Sequence, residues 1–420
     1  MATIKKSYLE TLPAEVLHRI YDELDAETIL FSIRCVSKRL YSITNNYNRY
    51  RLDFHYMSIS NIRVMARIID PKNVISLTLS DEEESYGEIS LFLSHFHLDQ
   101  FIRLRSLTLI NLRDRDADLF ENYINKCCLT TVSISFDYPY PKNIKQLLTS
   151  IVSLNGLRKL ELACEDRILD DLQWPIQCRV ENLTISGRCK WNIIYFILNH
   201  SPYLRTLVLK LFDIGESDEN IVTQSDVKQF NNLVSLSLYI RSRIKISDIY
   251  SILTFLPNLT HLRLSGWIAE DNLSSCNGHQ WANLIQTKLP LLKQFEFHFS
   301  HQARANQDCT IMESLIESFR TPFWLENNSW IVKYDYECDE DILNGRQIVI
   351  SFSRDHADLA YGSRVYTIPV FQNDFDYSNR QIRVINSILN TIDKNEPIVV
   401  NSYKLTIDVN RMMTENIQEK

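Results

Sequence analysis

Histidines occur at two places where their spacing could bind a metal ion. His95, His97 and Asp99 form the pattern H-x-H-x-D, and His298 and His301 stand close together further along the chain. A closed zinc site needs about four ligands, and an open one about three protein ligands. The first pattern continues with Gln100 rather than a further histidine, and neither segment is followed by a cluster of ligands. We therefore interpret these imidazoles as surface side chains and predict no metal site.

Motifs for nucleotide binding and hydrolysis are missing as well. The chain has eight glycines, and the two closest, Gly266 and Gly278, are twelve residues apart. Because a phosphate-binding loop depends on clustered glycines, G-x-G and Walker-type sites are excluded. Neither H-E-x-x-H nor G-x-S-x-G occurs in the sequence. The sequence therefore predicts no cofactor, no catalytic residue and no enzymatic activity.

Composition favours a globular protein that binds other proteins. The chain of 420 residues is 45% hydrophobic, carries a net charge of -7 and has a pI near 5.9. A dedicated nucleic-acid-binding protein normally has a basic surface, so we expect no nucleic acid partner. No run approaches the roughly 18 apolar residues of a membrane span, and the opening residues MATIKKSYLETLP lack the apolar core expected of a signal peptide. Nine cysteines without a C-x-x-C pair indicate a reducing compartment, and we expect a soluble protein of the cytoplasm, the nucleus or both.

A pattern of apolar-x-x-apolar-x-apolar residues repeats nine times through the body of the chain. The units begin at Val74, Leu104, Leu129, Leu157, Val180, Leu204, Leu233, Leu259 and Leu292, at intervals of 23 to 33 residues. This alternation is typical of a strand with one buried face. Helical patterns fill the intervals: NIRVMARII, ADLFENYI, NIKQLLTSIVSL, NIIYFILNH, SDIYSILTFL and WANLIQTKL. An acidic run, Asp81 to Glu84, follows the first strand, and we interpret it as a solvated turn.

From about residue 50 to residue 300 the sequence resembles leucine-rich-repeat proteins, whose repeats are about 20 to 29 residues long. A strand and helix of one repeat cannot bury their apolar faces alone, so neighbouring repeats must stack. Strands are about 4.8 Å apart and helices about 10 Å across, so such a stack curves. We expect an α/β fold, a curved solenoid with parallel strands on its concave face and helices on its convex face. Nine strands of another alternating helix and strand fold remain the alternative.

The repeated apolar pattern does not continue beyond residue 300. A helix is predicted over TIMESLIESF, ending at Pro322, and the segments WIVKYDY, RQIVISF and RVYTIPV predict an antiparallel sheet. A helix at 381–391 and the strand YKLTIDV could resume the repeats. We therefore divide the chain into an amino-terminal helical domain at 7–50, a solenoid at 51–319, and an α+β insertion or carboxy-terminal cap at 320–420.

The amino-terminal domain is predicted to contain three short amphipathic helices. Pro13 suits the first turn of a helix whose apolar face carries Val16, Leu17, Ile20 and Leu24. Asp25 can cap a second helix carrying Ile29, Leu30 and Ile33, and Ser37 can cap a third carrying Leu40 and Ile43. Because about forty residues make a very small core, such a domain is expected to bind a partner.

This domain resembles an F-box in its residues Leu12-Pro13, Glu15, Ile20, Leu24-Asp25 and the run FSIRCVSKRLYSI. The resemblance implies that it docks on the Skp-type adaptor of a cullin-based ubiquitin ligase while the repeats hold a protein substrate. The residues expected to bind the adaptor are Leu12, Pro13, Val16, Leu17, Ile20, Leu24, Ile29 and Leu30. The alternative is a leucine-rich-repeat scaffold without a ligase role, whose amino-terminal helices only cap the stack.

Polar side chains on the later strands suggest where a substrate binds. The outward residues of the early strands are small, as in Ser76, Thr78 and Thr108, whereas later strands carry larger and charged ones. Protein interfaces draw most of their binding energy from Tyr, Trp and Arg. The alternative is that these residues are an ordinary solvated surface. The residues predicted to bind substrate are Tyr239, Arg241, His261, Arg263, Gln294, Glu296 and His298.

Overall fold

The computed structural model describes residues 8–55, 57–82, 87–124, 126–136, 143–213, 228–240, 246–268, 277–302, 314, 317–327, 331–336 and 362–368. The chain divides into two compact units. The first unit contains Met1–Tyr239 and Phe255–Leu259, and the second contains Ile240–Thr254 and Thr260–Lys420.

The amino-terminal segment folds into short helices followed by a strand. Its elements are α1 (Tyr8–Thr11), α2 (Ala14–Asp22), a π-helical turn (Thr28–Ser32), a 3-10 turn (Ile33–Cys35), α3 (Lys38–Asn45) and β1 (Tyr50–Asp53). Both predicted caps are present, because the Asp25 carboxylate accepts the backbone N–H of Thr28 at 2.6 Å and the Ser37 hydroxyl accepts that of Leu40 at 3.3 Å. The predicted second helix is irregular, since it consists of the π-helical turn and the 3-10 turn.

Strands and helices alternate through the rest of the first unit. The strands are β2 (Val74–Ser80), β3 (Ser106–Leu112), β4 (Thr131–Phe136), β5 (Lys159–Ala163), β6 (Asn182–Lys190), β7 (Thr206–Asp213) and β8 (Ser235–Ile240). The helices are α4 (Ile59–Ile68), α5 (Glu88–His95), α6 (Asp114–Ile124), α7 (Ile144–Val152), α8 (Asp166–Asp170) and α9 (Trp191–His200). From β1 to β7 each strand pairs in parallel with the next in chain order, and β8 follows β7. This arrangement confirms the predicted α/β class and its leucine-rich-repeat-like order.

The strand register aligns the repeated apolar residues in rows. One buried row runs across β2–β7 through Leu77, Leu107, Val132, Leu160, Leu183 and Leu207, and a second through Leu79, Leu109, Ile134, Leu162, Ile185 and Leu209. The helices cover this face with buried residues such as Leu147 on α7 and Ile197 on α9. Because side chains alternate across a sheet, the polar residues between these rows point to the opposite face.

A backbone ladder joins the repeats where their strands begin. The carbonyl of Arg105 accepts the N–H groups of Thr130 and Thr131 at 2.8 and 3.0 Å, and the carbonyl of Arg158 accepts those of Glu181 and Asn182 at 2.8 and 2.9 Å. The backbone carbonyls of Thr130, Glu181 and Arg205 each accept two backbone N–H groups in the same way. This arrangement pairs backbone groups that the turn would otherwise bury without partners. Main-chain bonds therefore align these turns from one repeat to the next.

Several features of the first unit differ from the sequence-based expectations. The strand β1 and the short helices α1 and α8 were not predicted, and Asp81, the first residue of the acidic run after β2, is not solvated. Asp81 is buried, and its Oδ1 accepts the backbone N–H groups of Gly87 and Ile89 at 3.1 and 3.2 Å. Arg113 lies on its other side, with Nε 3.6 Å from Oδ2. Asp81 thus caps α5, because its carboxylate satisfies amide groups at the start of that helix.

The second unit begins with helix α10 (Ile246–Leu253) and contains a mixed sheet. Its other elements are β9 (His261–Ile268), α11 (Gly278–Lys288), β10 (Gln294–Gln302), a π-helical turn (Phe323–Asn327), β11 (Ile331–Tyr336) and β12 (Gly362–Ile368). β9 and β10 are parallel, β12 pairs antiparallel with β10, and β11 pairs antiparallel with β12. The antiparallel pairing agrees with the prediction for WIVKYDY and RVYTIPV.

Aromatic side chains form the core of the second unit. Trp281, Phe295 and Trp324 are buried with successive ring centroids 5.0 and 6.1 Å apart, and the indole N–H of Trp324 donates to the carbonyl of Gly278 at 3.2 Å. Gly266 on β9 has a φ of 136°, and a Cβ there would lie 1.9 Å from the carbonyl oxygen of Ile240. Only glycine fits at this position. The predicted segments RQIVISF, 381–391 and YKLTIDV, and most of TIMESLIESF, lie outside the described residues.

Candidate functional site

The Leu12-Pro13 pair lies at the start of α2, where its backbone is held in place from two sides. Pro13 precedes the first helical residue with φ -59° and ψ 152°, and its carbonyl accepts the N–H of Leu17 at 3.1 Å. The carbonyl of Leu12 accepts a 2.7 Å hydrogen bond from the guanidinium of Arg39 on α3. Leu12 is half-buried and Pro13 is exposed. The structure therefore presents this pair at the surface in a fixed conformation.

Three of the residues expected to bind the adaptor lie in the core of the domain. Leu17, Ile29 and Leu30 are buried within the chain. Leu17 shares the buried face of α2 with Tyr21, whose ring packs edge-on against Tyr47 at a centroid distance of 5.5 Å. These three side chains can therefore support the surface, whereas the other predicted residues are at least partly accessible.

An accessible apolar stripe runs along α2 beside its buried face. Val16 is exposed, and Ile20 and Leu24 are half-buried. Positions three and four residues apart share one side of a helix, so Pro13, Val16 and Ile20 form a continuous stripe. These residues were predicted to bind the adaptor, and a partner could cover the stripe without unfolding the domain.

Two further exposed apolar residues of this domain were not selected from the sequence. Val36 is 64% exposed between the 3-10 turn and α3, and Tyr41 is 47% exposed on α3. Arg34 stacks on the Tyr41 ring with its Cζ 4.4 Å from the centroid and donates to the Tyr41 hydroxyl at 3.1 Å. A local sequence pattern could not identify Val36, because it lies outside a regular helix. Both residues extend the set of apolar side chains available to a partner.

A charged cluster connects the end of α2 to the chain just before β1. Both carboxylate oxygens of Asp22 accept 2.8 Å hydrogen bonds from Arg49, and the Tyr47 hydroxyl donates to the same carboxylate at 2.8 Å. Burial raises the pKa of Asp22, but the hydrogen bonds from Tyr47 and Arg49 and the charges of Arg49 and Arg51 outweigh it, so the pKa is lowered. Burial, together with Asp22, raises the pKa of Tyr47 to about 12. The cluster therefore stays ionised at Asp22 and neutral at Tyr47 near neutral pH.

Five of the residues predicted to bind substrate come together on β9 and β10 in the second unit. The register places His261 beside Gln294, Arg263 beside Glu296, and Ser265 beside His298. Arg263 Nε lies 3.7 Å from Glu296 Oε2, and the Gln294 amide donates to the other oxygen of Glu296. His261 and Gln294 are exposed, while the remaining three are half-buried. Arg263, Gln294 and Glu296 therefore form a connected set of donors and acceptors on two paired strands.

Tyr239 and Arg241 are the other two residues predicted to bind substrate. Tyr239 is half-buried on β8 and belongs to the first unit, and Arg241 lies outside the described residues.

The histidines of the H-x-H-x-D segment occupy a helix end. His95 is the last residue of α5, and His97 precedes a 3-10 turn at Leu98–Gln100, where its backbone N–H donates to the Gln100 side chain at 3.4 Å. Within the described part of the chain, no group of three or more His, Cys, Asp or Glu side chains could hold a metal ion. In the same residues, no helix has both the length and the apolar character required to cross a membrane.

Comparisons with known proteins identify the amino-terminal domain. Residues 9–52 match the model of the F-box domain family. No curated protein is significantly similar to the chain. Among solved structures, the chain is similar to the leucine-rich-repeat-containing protein LegL7 from Legionella pneumophila, at 14% identity and a TM-score of 0.31, over 59% of this chain and 83% of that one. A TM-score this low supports no conclusion about function.

Proposed function

We propose that this chain, an F-box protein with a leucine-rich-repeat-like region, is the substrate-recognition subunit of a Skp–cullin–F-box-type ubiquitin ligase. The observation that carries the proposal is the F-box match over residues 9–52. F-box domains in general bind the Skp-type adaptor of such ligases, which bridges them to the cullin scaffold. In this role the protein acts in the cytoplasm, the nucleus or both.

The accessible apolar residues of the F-box are the proposed adaptor-binding surface. Leu12 and Pro13 begin it, and Val16, Ile20 and Leu24 continue it along α2. Apolar side chains that become buried in an interface dominate its binding energy, whereas residues already in the core contribute by holding the surface in shape. Leu17, Ile29 and Leu30 have the supporting role in this proposal.

The strand face formed by β9 and β10 is the proposed substrate-binding surface. Arg263 and Glu296 together offer a donor and an acceptor, and His261 and Gln294 are exposed beside them. F-box and repeat modules act by interaction, so this chain contributes proximity rather than catalytic groups. Holding a substrate lysine near an activated ubiquitin raises its effective concentration without new chemistry.

Reconstitution with the adaptor and the cullin tests this proposal. The full chain should co-purify with a Skp-type adaptor, and should bring down the cullin only when the adaptor is present. Replacing both Leu12 and Pro13 by alanine should weaken the association by about tenfold or more, since the variant loses apolar contact. If the wild-type chain fails to bind the adaptor, the protein is a repeat scaffold without a ligase role.

A further inference from the structure

The first unit has a basic edge at the amino ends of its parallel strands. We define the amino edge as the five residues that precede each of β3–β8. Its basic residues are Arg103, Arg105, Lys126, Arg158, Arg179 and Arg205. Glu181 is the acidic residue of the edge, and it pairs with Arg158, with Nε and Oε1 3.1 Å apart. The edge is therefore positively charged, whereas the whole chain carries a net charge of -7.

The backbone ladder sets the distance between neighbouring segments of the edge. Arg205 donates its backbone N–H to the carbonyl of Glu181 at 2.8 Å, so the segments before β6 and β7 lie side by side at about the 4.8 Å spacing of paired strands. Arg179 stands two residues before Glu181 on one of these segments, and Arg205 stands on the other.

Several guanidinium groups of the edge are available to a ligand. Arg105 donates to the carbonyl of Cys128 at 3.0 Å, and Arg158 is held by Glu181 and by backbone carbonyls. Across the described ranges, by contrast, no hydrogen bond or ion pair involves the side chains of Arg103, Arg179 and Arg205. All three are exposed. An incoming anionic group can pair with them without breaking an ion pair among the described residues.

Large apolar side chains are exposed beside these arginines. Ile176 is 85% exposed and Tyr203 is 52% exposed, next to Arg179 and Arg205. The loop that presents Ile176 is held by the backbone N–H of Cys178, which donates to the carbonyls of His200 at 2.9 Å and Pro175 at 3.2 Å. Gln177 in this loop has a φ of 70°, in the left-handed region that costs a non-glycine residue about 1 kcal/mol.

We propose that the amino edge around Ile176, Arg179, Tyr203 and Arg205 is a docking surface for an acidic protein segment that also carries apolar side chains. Arginine and tyrosine are the residues that most often anchor protein interfaces, and here they alternate with an exposed isoleucine. A single-stranded nucleic acid would instead need several aromatic platforms on which bases stack, whereas this surface contains one exposed tyrosine. The residues of this surface belong neither to the F-box nor to β9 and β10, so the inference does not depend on the proposed function.

Binding of synthetic peptides to the full-length chain tests this inference. The probe is a fluorescein-labelled peptide that repeats Glu-Glu-Leu, and the comparison ligands are the same peptide with lysine for glutamate and a labelled single-stranded oligonucleotide. Fluorescence anisotropy should show binding of the acidic peptide, weaker binding at higher salt, and no binding of the basic one. Arg179→Glu combined with Arg205→Glu should lower the affinity by about tenfold or more.

Matched variants separate this surface from general charge effects. Arg63→Glu with Arg167→Glu changes the net charge equally through exposed arginines on α4 and α8, and should leave peptide affinity unchanged. Ile176→Ser with Tyr203→Ser should weaken binding, whereas Leu119→Ser with Val64→Ser, at exposed helix positions, should not. Circular dichroism checks that each variant is folded. Equal affinities for the edge variants and their controls, absence of acidic-peptide binding, or tighter binding of the oligonucleotide would overturn the inference.

Discussion

Arg49 forms hydrogen bonds of 2.8 Å with each carboxylate oxygen of Asp22, across 27 positions of sequence. The pair connects the end of α2 with the segment before β1, and the Tyr47 hydroxyl completes it. Two parallel N–H to oxygen bonds fix both the distance and the orientation of their partners. The pair therefore holds α2 against the carboxy-terminal end of the F-box, whose own core is small.

Removing the carboxylate should destabilise the F-box. We expect Asp22→Asn to lower the free energy of unfolding by about 1 kcal/mol at neutral pH, a modest value because both side chains are partly exposed. Since the pKa of Asp22 is lowered in the folded state, this stabilisation is present above the unfolded pKa of about 3.9 and lost as pH falls through the folded value. Urea unfolding at several pH values measures it.

The matched control for Asp22 is Asp99→Asn, at an exposed carboxylate on the turn after α5. This change should leave stability within about 0.5 kcal/mol of the wild type. If the free energies of unfolding of the wild type and Asp22→Asn differ by the same amount at acid pH as at neutral pH, an electrostatic role for the carboxylate is contradicted.

Glu88 should make the stability of the first unit depend on pH. This residue is buried at the start of α5, and burial, with repulsion from Asp81, raises its pKa to about 7. Its carboxyl group is thus protonated in the folded state at pH values where the unfolded chain, with a pKa of about 4.3, is ionised. The contribution of Glu88 to the free energy of unfolding is complete below the unfolded pKa and is lost as pH rises through 7. Between pH 6 and pH 8 it should decrease by about 1 kcal/mol.

Thermal unfolding of Glu88→Gln measures this contribution. Glutamine cannot ionise, so the variant should lack this part of the fall in stability between pH 6 and pH 8. Glu15→Gln, at an exposed carboxylate in the first turn of α2, should retain the wild-type pH dependence. A Glu88→Gln profile parallel to the wild type would show that Glu88 does not titrate in this range.

Reversing the charge at Arg263 should impair substrate capture. A glutamate at this position would face Glu296 on the neighbouring strand, so the donor is lost and two like charges become adjacent. Substrates can be captured from cells on the full chain while the ligase complex is stabilised. Arg263→Glu alone, and Arg263→Glu combined with Arg241→Glu, should each capture less substrate than the wild type. Adaptor binding should be unchanged.

Two comparisons define the outcome of that experiment. Arg67→Glu, at an exposed position on α4, makes the same charge change and should leave capture intact. Thr78→Trp with Thr108→Trp enlarges outward residues of β2 and β3. If capture survives Arg263→Glu but is lost in this second variant, the substrate site lies on the early strands.

Periodicity predicted most elements of the repeats because each repeat depends on local alternation. The rows that contain Leu77 and Leu79 were apparent in sequence, and so were the helices that cover them. The caps Asp25 and Ser37 were also predictable, since a cap acts within three residues of its own position. The register across β2–β7 then follows when the equivalent apolar positions of the repeats are aligned.

Features that depend on distant residues were not predictable in this way. The pairing of Asp22 with Arg49 and the capping of α5 by Asp81 require knowledge of which segments meet in space. Leu17, Ile29 and Leu30 were predicted to bind the adaptor, and their burial within the chain was not predictable, because an apolar stripe alone does not distinguish a core from an interface. Val36 was missed for the opposite reason, because it is exposed outside any regular periodic element.

Titration calorimetry between the purified full chain and a Skp-type adaptor tests the central claim most directly. Wild type should bind, and Val16→Glu combined with Val36→Glu should weaken the affinity by about a hundredfold, since two charges would enter an apolar interface. Leu119→Glu, at a similarly exposed position on α6, should bind as the wild type does. Absence of wild-type binding, or equal affinities for the wild type and the double variant, would contradict adaptor docking through this F-box surface.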